Sequence, residues 1–172
     1  QASPSSSQAQ DTGLSRRRRG LQSPWGRHCF CLRRPSINPS LKMKVGLTTT
    51  VPIEVIYAAG HIALDLNNLF ITSRSPEELV SRAEAVGFPR NTCSWIKGIW
   101  GVVSEGGIDE VVAVTQGDCS NTHALMELLE SEGITVYPFA YPYDRSPDLL
   151  RLQIEEMIRH FDTTWLASEE VK

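Results

Sequence analysis

The chain has 172 residues, a net charge of −3 and 41% hydrophobic residues, enough for one ordinary core. The charge is unevenly spread: residues 1–42 carry eight Lys or Arg against one acid, about +7, whereas residues 43–172 carry nine against nineteen, about −10. An acidic body excludes general nucleic-acid binding, which needs a basic face, and no apolar run reaches the roughly 20 residues of a membrane-spanning helix.

Taken in chain order, residues 1–42 are rich in Ser, Gln, Pro and Arg and have no apolar periodicity, the composition of a disordered, low-complexity leader. Arg16 to Arg19 form a basic run without interleaved aromatic residues, which reads as a solvated stretch rather than a nucleic-acid or import patch. No apolar stretch follows these arginines to make an export signal, so a cytoplasmic location is expected. Cys29 and Cys31 form a Cys-x-Cys without a second pair, a weak metal signal that reads as two exposed thiols. The composition changes abruptly at Met43, the expected first residue of a folded lobe spanning 43–172.

From there strands and helices alternate. Residues 44–48 read as a strand, and 52–59 as a helix opened by Pro52 and closed by Gly60. Residues 62–66 form a second strand. Ser75-Pro76-Glu77-Glu78 is a capping box that starts a helix running to Val86 and stopping at Gly87. Residues 91–104 follow as a helix with Ile96, Ile99, Trp100 and Val103 on one face. Residues 110–115 are the most continuous β-branched run, the pattern of a central strand covered on both faces. A helix over 121–132, a strand over 134–139 and a helix from Ser146 to about His160 complete the series. The alternation predicts an α/β fold: an open, largely parallel, Rossmann-like sheet with helices on both faces.

Such sheets bind ligands beyond the carboxyl ends of their strands. Cys119 falls in the loop leaving the central strand just before a helix, where the helix N-terminus favours an anion. Cys93 stands at the entrance of another helix, and Thr48 to Thr50 and Asn67-Asn68 follow two further strands, so all are expected on the same rim. Residue chemistry alone leaves two readings open, a metal-binding thiol pair or two cysteines that simply pack.

Three phrases carry a resemblance. Val51-Pro52-Ile53-Glu54-Val55-Ile56-Tyr57-Ala58-Ala59-Gly60, then Gly87-Phe88-Pro89-Arg90 leading to Cys93, then Gly117-Asp118-Cys119-Ser120-Asn121-Thr122 resemble the 2-hydroxyacyl-CoA dehydratase family, which includes 2-hydroxyglutaryl-CoA dehydratase D-components, benzoyl-CoA reductase subunits and double-cubane cluster proteins. The resemblance spans roughly residues 43–160. It implies an oxygen-sensitive 4Fe-4S cluster held between two lobes, with Cys93 and Cys119 as the first two ligands and Ser120, Asn121 and Trp95 in its environment. Family members are about twice as long, and a further cysteine lies in their second lobe, so this chain is expected to be an N-terminal half with an incomplete ligand set.

The implied activity is elimination of water from a 2-hydroxyacyl-CoA through a ketyl radical, after one-electron activation by an ATP-hydrolysing iron-sulfur activator. Expected partners are a second lobe or partner subunit, that activator and the acyl-CoA substrate. The alternatives are a reductase component of the double-cubane or benzoyl-CoA type, and a non-catalytic lobe that binds its partner. Other residues carry weaker signals. Glu54, in a first helical turn, is a general-base candidate or a helix-dipole partner, and His123 reads as a helix-surface residue. Trp95 and Trp100 are open to two readings, shielding a cluster from water or ordinary core. The aromatic run from Tyr137 to Tyr143 is expected to wall the crevice or to form an interface.

Overall fold

A computed structural model describes residues 42–171. The expected disordered leader, with Cys29, Cys31 and the Arg16 to Arg19 run, lies outside the described residues except for Lys42. Four strands, β1 (Lys44–Leu47), β2 (Ile62–Asp65), β3 (Glu110–Gln116) and β4 (Thr135–Ala140), form one sheet in the order β2-β1-β3-β4. Every pairing is parallel, with Val45 opposite Ala63 and Leu47 opposite Val112. The helices are α1 (Ile53–Ala58), α2 (Leu66–Ile71), α3 (Pro76–Ala85), α4 (Ser94–Ser104), α5 (Thr122–Ser131), α6 (Pro147–His160) and α7 (Trp165–Glu170). None of the helices among the described residues is long and apolar enough to cross a membrane.

Strand alternation divides the core into two layers. Val45, Leu47, Val112, Val114 and Phe139 point to one face and pack with Val55 and Ile56 of α1 and Met157 and Ile158 of α6. Val111 faces the other way, into a layer built by Leu66 and Phe70 of α2, Leu79 and Ala83 of α3, Ile96 to Val103 of α4, and Leu125 and Leu129 of α5. Glu110 to Val114 are all buried, as expected of a strand covered on both faces. The sheet is thus the open α/β architecture that the sequence pattern predicts.

Two elements differ from the sequence reading. The chain after β2 turns directly into α2, because the Asp65 carboxylate caps it, accepting from Asn67 N at 2.9 Å and Asn68 N at 3.4 Å. A seventh helix follows α6, with Thr164 Oγ1 accepting from Ala167 N. On α4, two glycines allow close packing. A Cβ at Gly101 would sit 2.7 Å from Leu79 Cβ, and one at Gly98 would collide with the Phe70 ring.

Candidate functional site at the carboxyl edge of the sheet

Because all four strands run in parallel, the loops that follow them meet at one edge. There a cavity of about 260 Å³ is lined by Thr48 and Thr49 after β1, Asn67 of α2, Cys93, Trp95, Ile96 and Ile99 at the start of α4, and Asp118, Cys119 and Thr122 between β3 and α5. Among the described residues both cysteines are unpaired thiols, Cys93 exposed and Cys119 half-buried. The convergence expected from the strand order is therefore present: two thiols from separate loops face one space.

The loops are delivered by local structure. A register shift between Val114 and Gln116 bends the end of β3, and Gly117 follows at φ 93°, a left-handed conformation that favours glycine. A side chain at Gly117 would also press against Tyr141, its ideal Cβ lying 3.0 Å from the Tyr141 Cβ. This turn presents Cys119, and Asn121 Nδ2 lies 3.5 Å from Cys119 Sγ as a donor. Cys93 is the N-cap residue of α4. The loop before it is pinned by Lys97, whose Nζ is buried and reaches Arg90 O at 3.2 Å and Glu84 Oε1 at 2.7 Å. The Lys97 hydrogen bond holds the Glu84 carboxyl below the usual carboxylate range.

The cavity wall is a linked set. Trp95 Nε1 donates to Asn67 Oδ1, Asn67 Nδ2 donates to Thr48 O at 2.8 Å, and Thr48 Oγ1 accepts from Val114 N at 3.0 Å. Trp95 also meets Phe70 edge-on, with ring centroids 5.4 Å apart. Sequence reasoning placed Asn67 on the rim as a loop residue; it is a helical one, and its side chain ties the rims of β1 and α4 together. Thr48 lies on the rim as expected, and Lys97 was missed as a positioning residue. An amino-side lysine inside an apolar helical stretch was the available signal.

Several expected residues lie elsewhere. Trp100 does not share the cavity with Trp95: five helical positions separate them by about 140° around the axis, and Trp100 packs on Phe88 and donates to Glu132 Oε1. Tyr137 is inside β4 and faces the α6 layer, so of the aromatic run it is Tyr141 that reaches the rim, donating to Thr50 O at 2.8 Å. Ser120 is exposed and not among the cavity-lining residues, and His123 is exposed on α5. Glu54 lines an adjoining cavity of about 510 Å³ together with Thr50, Tyr57 and Asp65, and the two cavities share Thr49 and Asn67.

Compared with known families, residues 48–164 match the family model described as 2-hydroxyglutaryl-CoA dehydratase, D-component. The chain belongs to that family. No curated protein matches it. The match spans the carboxyl-edge loops with Cys93 and Cys119. Membership makes the chain a 2-hydroxyacyl-CoA dehydratase-like component of a system with partner subunits, in a family known for iron-sulfur clusters. Among the described residues, no three or more His, Cys, Asp or Glu side chains are grouped to hold a metal ion.

Proposed function

We propose that this chain is an iron-sulfur subunit of a 2-hydroxyacyl-CoA dehydratase-like enzyme, with Cys93 and Cys119 as two of the cluster ligands. The observation that supports this reading most is the shared cavity, which brings two thiols from loops 26 positions apart to the carboxyl edge of the sheet. The donor chemistry fits: thiolates are the usual ligands of iron-sulfur clusters, and an unpartnered buried hydroxyl, Thr122 Oγ1, belongs to the same lining. Two thiols are an incomplete set, so the remaining ligands would come from a second lobe or partner subunit. A 4Fe-4S cluster, once bound, supplies Lewis acidity and a store for one electron.

The reaction proposed is loss of water from a 2-hydroxyacyl-CoA through a substrate ketyl radical, following one-electron activation by an ATP-hydrolysing iron-sulfur activator. In it, Cys93 and Cys119 would hold the metal centre, Asn121 orients the Cys119 sulfur, and Trp95, hydrogen-bonded to Asn67, forms one wall of the cavity. Glu54, in the adjoining cavity, is the carboxylate available to move a proton of a substrate seated there. Such oxygen-sensitive chemistry belongs in an anaerobic cytoplasm. The two-thiol count also favours a second reading, a lobe that completes a site only with its partner and does not turn over alone.

Anaerobic reconstitution with iron and sulfide, followed by electron paramagnetic resonance, tests the proposal. The chain alone is expected to take up iron weakly and substoichiometrically, and addition of a second family lobe, in trans or by fusion, to give a full 4Fe-4S signal. Cys93→Ser and Cys119→Ser should each abolish that signal. Four irons and four sulfides per monomer in the isolated chain, with no dimer, would overturn the incomplete-set reading.

A further inference from the structure

Thr122 is the first residue of the ten-residue helix α5, is fully buried, and lines the cavity shared by Cys93 and Cys119. Its Oγ1 has no hydrogen-bond partner among the described residues. Of the other polar side chains lining the cavity, Thr48 is engaged with Val114 N, Asn67 with Thr48 O and Trp95 with Asn67, and Thr49 and Asp118 also line it. A buried hydroxyl left unsatisfied is destabilising, and native structures retain few such groups unless a ligand uses them. The amino end of α5, beside the same cavity, adds a partial positive charge that favours an anion there, against the opposing charge of the Asp118 side chain in the same lining.

We infer that the Thr122 hydroxyl is the hydrogen-bond donor this cavity offers to a negatively charged sulfur, a sulfide or thiolate of a metal centre held by Cys93 and Cys119. The inference rests on the metal-binding reading of those cysteines. Asn121 differs from Thr122 in already meeting a sulfur, Cys119 Sγ, in the protein by itself. The Thr122 hydroxyl meets neither thiol, so its acceptor is an atom the bound group brings. A donor at sulfur withdraws electron density, tightening the hold on the anionic centre and raising its reduction potential.

The test compares wild-type full chain, Thr122→Val, which replaces the hydroxyl with a methyl group, and Thr122→Ser, which keeps it. Thermal midpoints are measured on the chain without metal, and half-loading with ferrous iron and sulfide is measured anaerobically, with a second family lobe added to complete the site, against a competing chelator. Without metal, Thr122→Val should melt at or above wild type, because the hydroxyl has no partner to lose. Its half-loading concentration should rise about tenfold, the loss of one hydrogen bond to a charged group, while Thr122→Ser loads like wild type. Thr122→Val that loads like wild type overturns the hydroxyl's role alone. A midpoint well below wild type without metal also overturns it, assigning the hydroxyl to the fold. Wild type that takes up no iron or sulfide at all overturns the reading of the cysteines, and the inference with it.

Discussion

At the amino end of the sheet, the Glu110 carboxylate is buried on the first residue of β3 and meets His160 Nε2 from the end of α6. Tyr137 stacks on that imidazole, with ring centroids 4.3 Å apart, and Phe161 meets it edge-on. At the carboxyl end of the same strand, a register shift and a left-handed glycine lead to Cys119, an exposed turn and a cavity with an unpartnered hydroxyl. One end spends its polar groups on joining α6 to the sheet; the other leaves two thiols at a cavity and a buried hydroxyl with no partner among the described residues. The difference teaches that polar residues in one strand serve stability or function according to which end of a parallel sheet they occupy, because the loops leaving the carboxyl ends, with the helix starts that follow them, converge on a crevice.

The largest effect should come from the strand both ends share. Val112→Asp places an unpaired carboxylate between two covered faces, and a loss above about 4 kcal/mol is expected, read as absence of soluble, cooperatively folding protein. Soluble folded mutant would break the comparison at its root.

Next is the amino end. His160→Ala leaves the buried Glu110 carboxylate without its imidazole neighbour and should lower stability by about 2–3 kcal/mol in denaturant melts. Iron uptake at the far edge should be unchanged, and a parallel loss of uptake in folded protein would show that the two ends are coupled.

A smaller effect is readable by pH. Burial, followed by the negative charge of Glu156, pushes the Tyr137 hydroxyl up to about 12 from 10.0, with Arg159 opposing and Glu110 adding to the rise. The unfolded chain ionises first, so this contribution is fully present below pH 10 and is lost as pH rises through about 12. With the ring half-exposed and screened by solvent, the loss is about 1 kcal/mol. Stability measured from pH 9 to 12 should fall in wild type and fall less in Tyr137→Phe; equal slopes would remove Tyr137 as the cause.

The smallest stability change belongs to the functional end. Cys93→Ser and Cys119→Ser should each shift stability by only about 0.5 kcal/mol, since one thiol is exposed and the other half-buried, yet each should eliminate iron binding. A large destabilisation without loss of iron would reverse the roles assigned to the two ends.

Local pattern carried much of the fold. The β-branched run of β3, the Pro76 start of α3 and the Ser146-Pro147 start of α6 are short-range signals that periodicity and helix-start rules read directly, although the Ser75 side chain makes no cap hydrogen bond and the expected capping box is not formed. The α2 segment was missed because Asp65 acts both as the last residue of a strand and as the cap of the next helix, leaving no loop composition between them. For the site, the loop positions of Cys93 and Cys119 were legible from the elements around them.

The sequence by itself determined the alternating α/β order, the two-sided central strand and the three phrases that mark the dehydratase family, because each depends on residues near one another in the chain. Tertiary structure alone decided which of those residues meet. The pairing of β1 between β2 and β3 brings Thr48, Asn67 and Cys119 to one rim, and the turn of α4 sends Trp95 to the cavity and Trp100 to Phe88. It also decided that Thr122 keeps a buried hydroxyl without a partner among the described residues while Thr48 does not. The physical reason is that periodicity and capping act over a few residues, whereas hydrogen-bond satisfaction depends on neighbours supplied from 66 positions away, as Thr48 and Val114 are.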